Sequence, residues 1–330
     1  GVRVLSQRPI SKRQSRLEPM KLTMCRRNQQ RITRHTLVLL AMLMPVVAHA
    51  GAWTTPAGSL WTKISWFRQS TDEWYTDNDQ PILLPDNTLG SRPAGSRQPY
   101  RFNGQYESTA FFMEGYYGLT DAVDVGLQMP WFDQSFDDDT RIDSPAESGF
   151  SDLRIFARWQ VLRRPFLLTL KGGAKIPTAE FRNEDGLIPV GEGQWDYDIV
   201  LQMGRSFWPI PAYANIDLGY RVRTENESIL RDPGDEWLVT AEAGYNLLPS
   251  LLLTMKYEGL YSKAGKSFGL RNESLTKRIT YLSPSMSWRI LDDTAVEAGA
   301  RFSVGGRNFP AGKQLNLGLS TSVAPPMPWR

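Results

Sequence analysis

The sequence predicts an all-β protein, a closed antiparallel transmembrane β-barrel of about 12 strands with short periplasmic turns and long outer loops. Three observations carry this: apolar and polar residues alternate with a period of two, the alternating runs are long, and the links between them are short and long in turn. Alternation at every second residue places one set of side chains on one face of a strand and the other set on the opposite face. Most runs are 10 to 14 residues, against about 5–6 in a soluble strand and roughly 9–11 for a tilted strand that crosses a bilayer. A secreted β-sandwich would also alternate, but it supplies no reason for such long strands or for the rhythm of the links.

Residues 1–50 are a different kind of sequence. They hold ten Lys or Arg against one acid, Glu18, and no aromatic residue, whereas 51–330 holds every Trp, Tyr and Phe, with 28 basic and 34 acidic residues. Arg26, Arg27, Arg31 and Arg34 precede the apolar stretch Thr36 to Val47, and Ala48-His49-Ala50 offers a small-x-small cleavage pattern before Gly51. This is the layout of a secretory signal peptide, so 1–50 is expected to be an N-terminal extension plus a Sec signal and 51–330 the outer-membrane barrel. A conventional signal would begin at Met20 or Met24, and the residues before it are set aside. The longest apolar run, Leu37 to Val47, has 11 residues and is too short for a helical span, which needs roughly 20. Cys25, His35 and His49 all precede Gly51. The processed chain would therefore have no thiol or imidazole, which excludes disulfides, Cys/His zinc sites and a Ser-His triad.

In chain order the strand candidates are 58–69, 102–118, 122–132, 149–162, 165–177, 194–207, 212–223, 234–247, 249–262, 275–289, 294–304 and 313–323. Ala212 to Arg223 shows the pattern clearly, with Ala214, Ile216, Leu218 and Val222 on one face and Asn215, Asp217, Arg221 and Arg223 on the other. Short links fall near Leu119, Arg163, Trp208, Leu248 and Leu291, and long polar ones at 70–101, 133–148, 178–193, 224–233, 263–274 and 305–312. The aromatic pairs Trp66-Phe67, Tyr116-Tyr117, Trp131-Phe132 and Phe207-Trp208 are expected in interfacial girdles at the strand ends.

Charged residues at the alternate positions cannot face lipid, where a mid-bilayer Lys or Arg costs roughly 2–4 kcal/mol. Lys63, Glu114, Arg154, Arg158, Lys171, Lys175, Asp196, Asp198, Asp217, Arg221, Arg223, Glu242, Lys256, Glu258, Glu297 and Arg301 are therefore expected to line the lumen. They would form either a polar pathway that sets selectivity or a packed ion-pair network that closes the barrel. Barrels of eight strands are filled by side chains and those of about 16 leave a channel, so twelve leaves both arrangements open. Asp137-Asp138-Asp139 reads as a solvated loop whose spacing fits no calcium site. Gly191-Glu192-Gly193 lacks the third glycine and the strand-to-helix context of a nucleotide loop. No cofactor, metal or nucleic-acid partner is expected.

Trp53-x-x-Pro56-x-Gly58, Tyr116-Tyr117-Gly118-Leu119-Thr120-Asp121, Ser148-Gly149-Phe150-Ser151-Asp152, Lys175-Ile176-Pro177-Thr178, Gly191-Glu192-Gly193-Gln194-Trp195-Asp196 and Asp235-Glu236-Trp237 resemble a bacterial outer-membrane family named for the phenol meta-cleavage degradation pathway. The resemblance implies a porin-like outer-membrane channel and is the sole source of the expectation that its small organic solutes include aromatic compounds. The chain departs from many such barrels in running on to Pro325-Pro326-Met327-Pro328-Trp329-Arg330 instead of ending on a terminal aromatic. The expected function is passive transport, with outer-membrane lipid, lipopolysaccharide and a small organic solute as partners. The alternatives are a closed barrel that only presents loops and, less favoured, a carboxylate hydrolase built on Asp196 and Asp198.

Overall fold

The computed structural model describes residues 51–324 apart from 141, 143, 180 and 182–188. Twelve long strands follow one another: β1 (Leu60–Thr71), β2 (Gln105–Gly118), β3 (Val123–Asp137), β4 (Leu153–Leu162), β5 (Leu167–Ile176), β6 (Asp196–Ser206), β7 (Ala212–Arg223), β8 (Glu236–Leu248), β9 (Leu251–Ser262), β10 (Arg278–Arg289), β11 (Thr294–Arg307) and β12 (Lys313–Val323). Each pairs antiparallel with its neighbours in sequence. β1 also pairs with β12, from Leu60 opposite Val323 to Gln69 opposite Gln314, so the twelve strands close into a barrel.

Alternation dictates the facing. Ile64, Ile199, Ile216 and Leu317 point outward and are about half exposed, while Asp124, Asp196 and Thr169 on the inner face are fully buried. An apolar exterior around a charged interior is the inverse of a soluble protein, and it places hydrocarbon outside. The long loops build small sheets of their own at one end. Glu73–Tyr75 pairs with Arg97–Pro99 and Phe309–Pro310, and Gly265–Ser267 pairs with Arg231–Asp232 and Leu270–Asn272.

The two largest boundary differences from the sequence expectation fall at β3 and β4. β3 continues past 132 to Asp137, because its outer half pairs with a separate short strand, Ala146–Phe150. The run 149–162 is accordingly two strands, broken at Ser151-Asp152. Pro130, which cannot donate to a ladder, marks the spot on β3, and its carbonyl accepts from Ser151 N at 2.8 Å. The expected export signal and the Pro-rich end, 325–330, lie outside the described residues.

The facing gives a direct test. Ala300 points outward at the centre of β11, opposite Leu315, and Ala300→Arg is expected to cost about 2–4 kcal/mol in urea unfolding from lipid vesicles. An unchanged unfolding free energy would mean that the register is off by one residue, which reverses every side chain.

Candidate functional site: the barrel lumen

The inner half of the lumen is filled by the segment that precedes β1. It passes the 119–122 turn, where Gly58 N donates to Gly118 O at 2.8 Å and Ala57 N to Asp121 Oδ1 at 3.2 Å. It then runs inside the barrel, where Ala52 is wholly buried. Its backbone is bonded to inward side chains of β3, β4 and β5. Thr55 N donates to Asp124 Oδ2 at 2.7 Å, Arg158 Nη1 to Gly51 O at 3.2 Å, and Thr169 Oγ1 and Gln160 Nε2 to Ala52 O at 2.6 and 3.3 Å. Trp53 packs edge-on against Tyr213 of β7, ring centroids 5.8 Å apart. Gly204 of β6 makes room, since a Cβ there would lie 3.1 Å from the Ala52 Cβ. The sequence reading assigned this segment no role, because so short a stretch shows no periodicity.

Asp124 and Arg158 form a buried, bidentate ion pair. The guanidinium donates Nε to Oδ1 at 2.8 Å and Nη2 to Oδ2 at 2.6 Å, and lies 4.1 Å from the Tyr116 ring centre. Further out, the inner wall of β4 to β8 is a continuous network. Lys175 pairs with Asp152 at 3.4 Å, with Asp196 at 3.1 Å and with Glu192. Arg223 pairs with Glu192 at 2.6 Å, Glu236 at 2.9 Å and Asp196 at 3.3 Å. Arg221 pairs with Asp198 at 2.6 Å and Glu236 at 2.8 Å, and Arg154 reaches Asp198 at 3.4 Å and Asp196 at 4.0 Å.

The other sequence-selected charges are more dispersed. Lys63 pairs with Glu297 at 2.9 Å, and Glu114 stands opposite Lys63 across the β1–β2 ladder. Glu258 takes Lys256 at 3.0 Å and Arg301 at 3.1 Å. Glu242 accepts from Tyr213 at 2.7 Å and Asp217 from Gln202 at 2.9 Å. Lys171 sits over the Phe156 ring at 3.9 Å. Sequence reasoning missed Asp124, Asp152, Glu192 and Glu236, which sit at strand starts or in loops where alternation gives no signal.

Glu192 ties residues 189–195 to the wall. Burial opposes its ionisation, but the Arg223, Lys175 and Lys277 charges outweigh burial and hold its carboxyl well below the ordinary range. A lowered pKa contributes stability that is present above the unfolded value, about 4.3, and is lost as pH falls through the lower folded value. Residues 189–195 are therefore expected to resist protease as well at pH 5 as at pH 7. Marked cleavage in 189–195 at pH 5 alone would show that Glu192 titrates in its ordinary range.

Above the network and under the loops lies a cavity of about 720 Å³. Phe67, Phe112 and Phe132 form a contiguous aromatic wall, with centroid separations of 5.4 and 5.8 Å, and Leu238, Leu260, Ile279 and Tyr281 continue it. This corrects the girdle expectation. In each of the pairs Trp66-Phe67, Tyr116-Tyr117 and Trp131-Phe132 one ring points outward, and the other (Phe67, Tyr116 or Phe132) points into the lumen, because consecutive residues on a strand cannot share a face.

Closed walls, an apolar exterior and a partly filled, charged lumen define a transmembrane β-barrel. The chain belongs to the family described as "Putative MetA-pathway of phenol degradation", whose model matches residues 100–319. Among solved structures it is similar to the COG4313 outer membrane channel from Pseudomonas putida F1, at 13% identity and a TM-score of 0.64, over 84% of this chain and 100% of that one. It also matches the toluene transporters TbuX of Ralstonia pickettii and TodX of P. putida. Each is 8% identical over 82% of this chain, covering 90% and 91% of theirs, with TM-scores of 0.40 and 0.39. At such identities the likeness is one of fold. No match is found among curated protein sequences.

Proposed function

We propose that the protein is a passive channel of the bacterial outer membrane for small organic solutes, aromatic ones among them, and not an enzyme. The observation that carries this reading is the aromatic-walled cavity in the outer half of the lumen. It lies within the roughly 300–1,000 Å³ of small-molecule sites, and its rings offer stacking faces to an apolar solute. Family membership supports it. In this reading 1–50 is an N-terminal extension plus the Sec signal that directs export, and the apolar exterior meets lipid and lipopolysaccharide. The sixteen lumen charges set ion preference as a group, since selectivity depends on what lines the constriction.

The filled inner half favours one competing reading, a closed barrel that presents loops. The hydrolase alternative finds no such support, because Asp196 and Asp198 are each committed to Arg or Lys partners. Single-channel recording in planar bilayers separates the first two. Discrete current steps are expected, with concentration-dependent interruption by phenol or toluene. A barrel that never conducts would leave the loop-presenting reading in place.

A further inference from the structure

The outer cavity is unbalanced in charge. Four cations line it, Arg223, Arg231, Lys277 and Arg301, against two carboxylates, Glu192 and Glu258. Arg223 and Arg301 are committed, the first to Glu192, Asp196 and Glu236, the second to Glu258 and Gln314. Lys277 and Arg231 differ, for among the described residues neither side chain has an ion pair or a hydrogen bond.

Lys277 precedes β10 and Arg231 lies in the loop between β7 and β8, yet the fold brings both to the lining of one cavity. Burial pushes the Lys277 ammonium below its usual range; the Glu192 charge opposes this, Arg223 adds to it, and Glu236 and Arg231 act more weakly in the same two senses. Arg231 is lowered by burial and by Arg223, with Glu192 opposing. Among the described residues neither cation has a carboxylate in direct contact, so Glu192 offsets their charge only from a distance. Burying a cation that is only partly compensated is costly, and an anion bound beside them reduces that cost. Arg offers a planar fork to a carboxylate and Lys a point charge. The surface beside them is apolar: Ile229, Leu275, Leu238 and Ile279 share the lining.

We propose that this cavity is a binding site for an amphiphilic monocarboxylate, its carboxylate between Lys277 and Arg231 and its aryl or alkyl body against Leu238, Leu260 and Ile279. The inference deepens the channel reading by naming its substrate class, and it rests on that reading only for the direction of transport. The head group is seated where loop residues meet the lumen, so a solute arriving from outside meets the cations first and the ion-pair wall below.

Calorimetric titration of the purified protein in uncharged lipid nanodiscs tests it, with 4-phenylbutyrate against the neutral 4-phenyl-1-butanol and empty nanodiscs as the background for partitioning. The carboxylate is expected to bind more tightly by about tenfold or more, as a charge-assisted contact implies. The double variant Lys277→Gln, Arg231→Gln is expected to remove that preference while keeping the alcohol's affinity. Equal affinities in the wild type, or no binding of either, would overturn the site whether or not the variant folds. Single-channel current on the same preparation keeps the two readings apart. Carboxylate preference without current supports the site and removes the channel, whereas current without preference keeps the channel and removes the site.

Discussion

Replacing Arg158 by Met is expected to lower the unfolding free energy by about 3–5 kcal/mol, the cost of leaving a buried charge without its partner. Arg158 and Asp124 are 3% and 0% exposed, and the pair is bidentate, so little solvent screening reduces the loss. The variant strands Asp124, and it also removes the donor to Gly51 O and the cation above Tyr116. Asp124 further holds Thr55 N, so its reorientation would loosen the segment that fills the inner lumen. The double variant Asp124→Asn, Arg158→Met is expected to recover most of the loss, because replacing both charges removes the uncompensated one. Urea unfolding from lipid vesicles reads both values. A single-variant loss no larger than the roughly 0–1 kcal/mol of an exposed pair would show that water reaches Asp124 and that the inner lumen is wetter than its geometry implies.

That pair also shows where the sequence ceased to be informative. All twelve strands were legible, because a residue that must avoid hydrocarbon and one that must meet it leave a period-two record wherever the barrel has a lipid face. Arg158 was legible for this reason, standing inward between Ala157 and Trp159. Asp124 was not: it is the second residue of β3, beside a turn where acids are common, and nothing local separates a turn residue from a buried counter-ion. Glu192 lies in a loop, outside any alternation, and Lys277 stands in the run 275–289 but just ahead of the observed strand, where Thr276, Lys277 and Arg278 are all polar and mark no face. Phe67 and Phe132 were visible as residues and misplaced as girdle members, because an aromatic pair satisfies a girdle by eye while the pleat sends one ring inward. The segment 51–58 was the largest omission. It is held by its backbone carbonyls and amides, and backbone groups are the same in every sequence.

Deleting residues 51–56 is expected to raise single-channel conductance severalfold while the barrel remains folded. The segment contributes no strand to the closed ladder, so its loss leaves every inter-strand pairing in place. Water entering the lumen can satisfy the Arg158, Gln160 and Thr169 groups that had bonded to its carbonyls. What it leaves is the inner half of a twelve-stranded lumen, wider than the eight-stranded barrels that side chains alone can fill. A reversible lock separates motion of the segment from mere occupancy. Ala52→Cys with Gly204→Cys places two Cβ atoms 3.1 Å apart, with the new one 2.7 Å from Asn215 Oδ1. The Asn215 side chain must therefore turn aside and the segment ease back by a few tenths of an ångström to reach the roughly 3.5–4.5 Å of a disulfide; the chain's single natural cysteine, Cys25, precedes the barrel. If solutes pass by displacement of the segment, oxidation is expected to suppress the current and dithiothreitol to restore it to the wild-type level. If they pass beside a fixed segment, oxidised and reduced channels will conduct alike and below the deletion variant. Equal conductance in the wild type and the deletion variant would show that the obstruction lies elsewhere, in the ion-pair wall of β4 to β8.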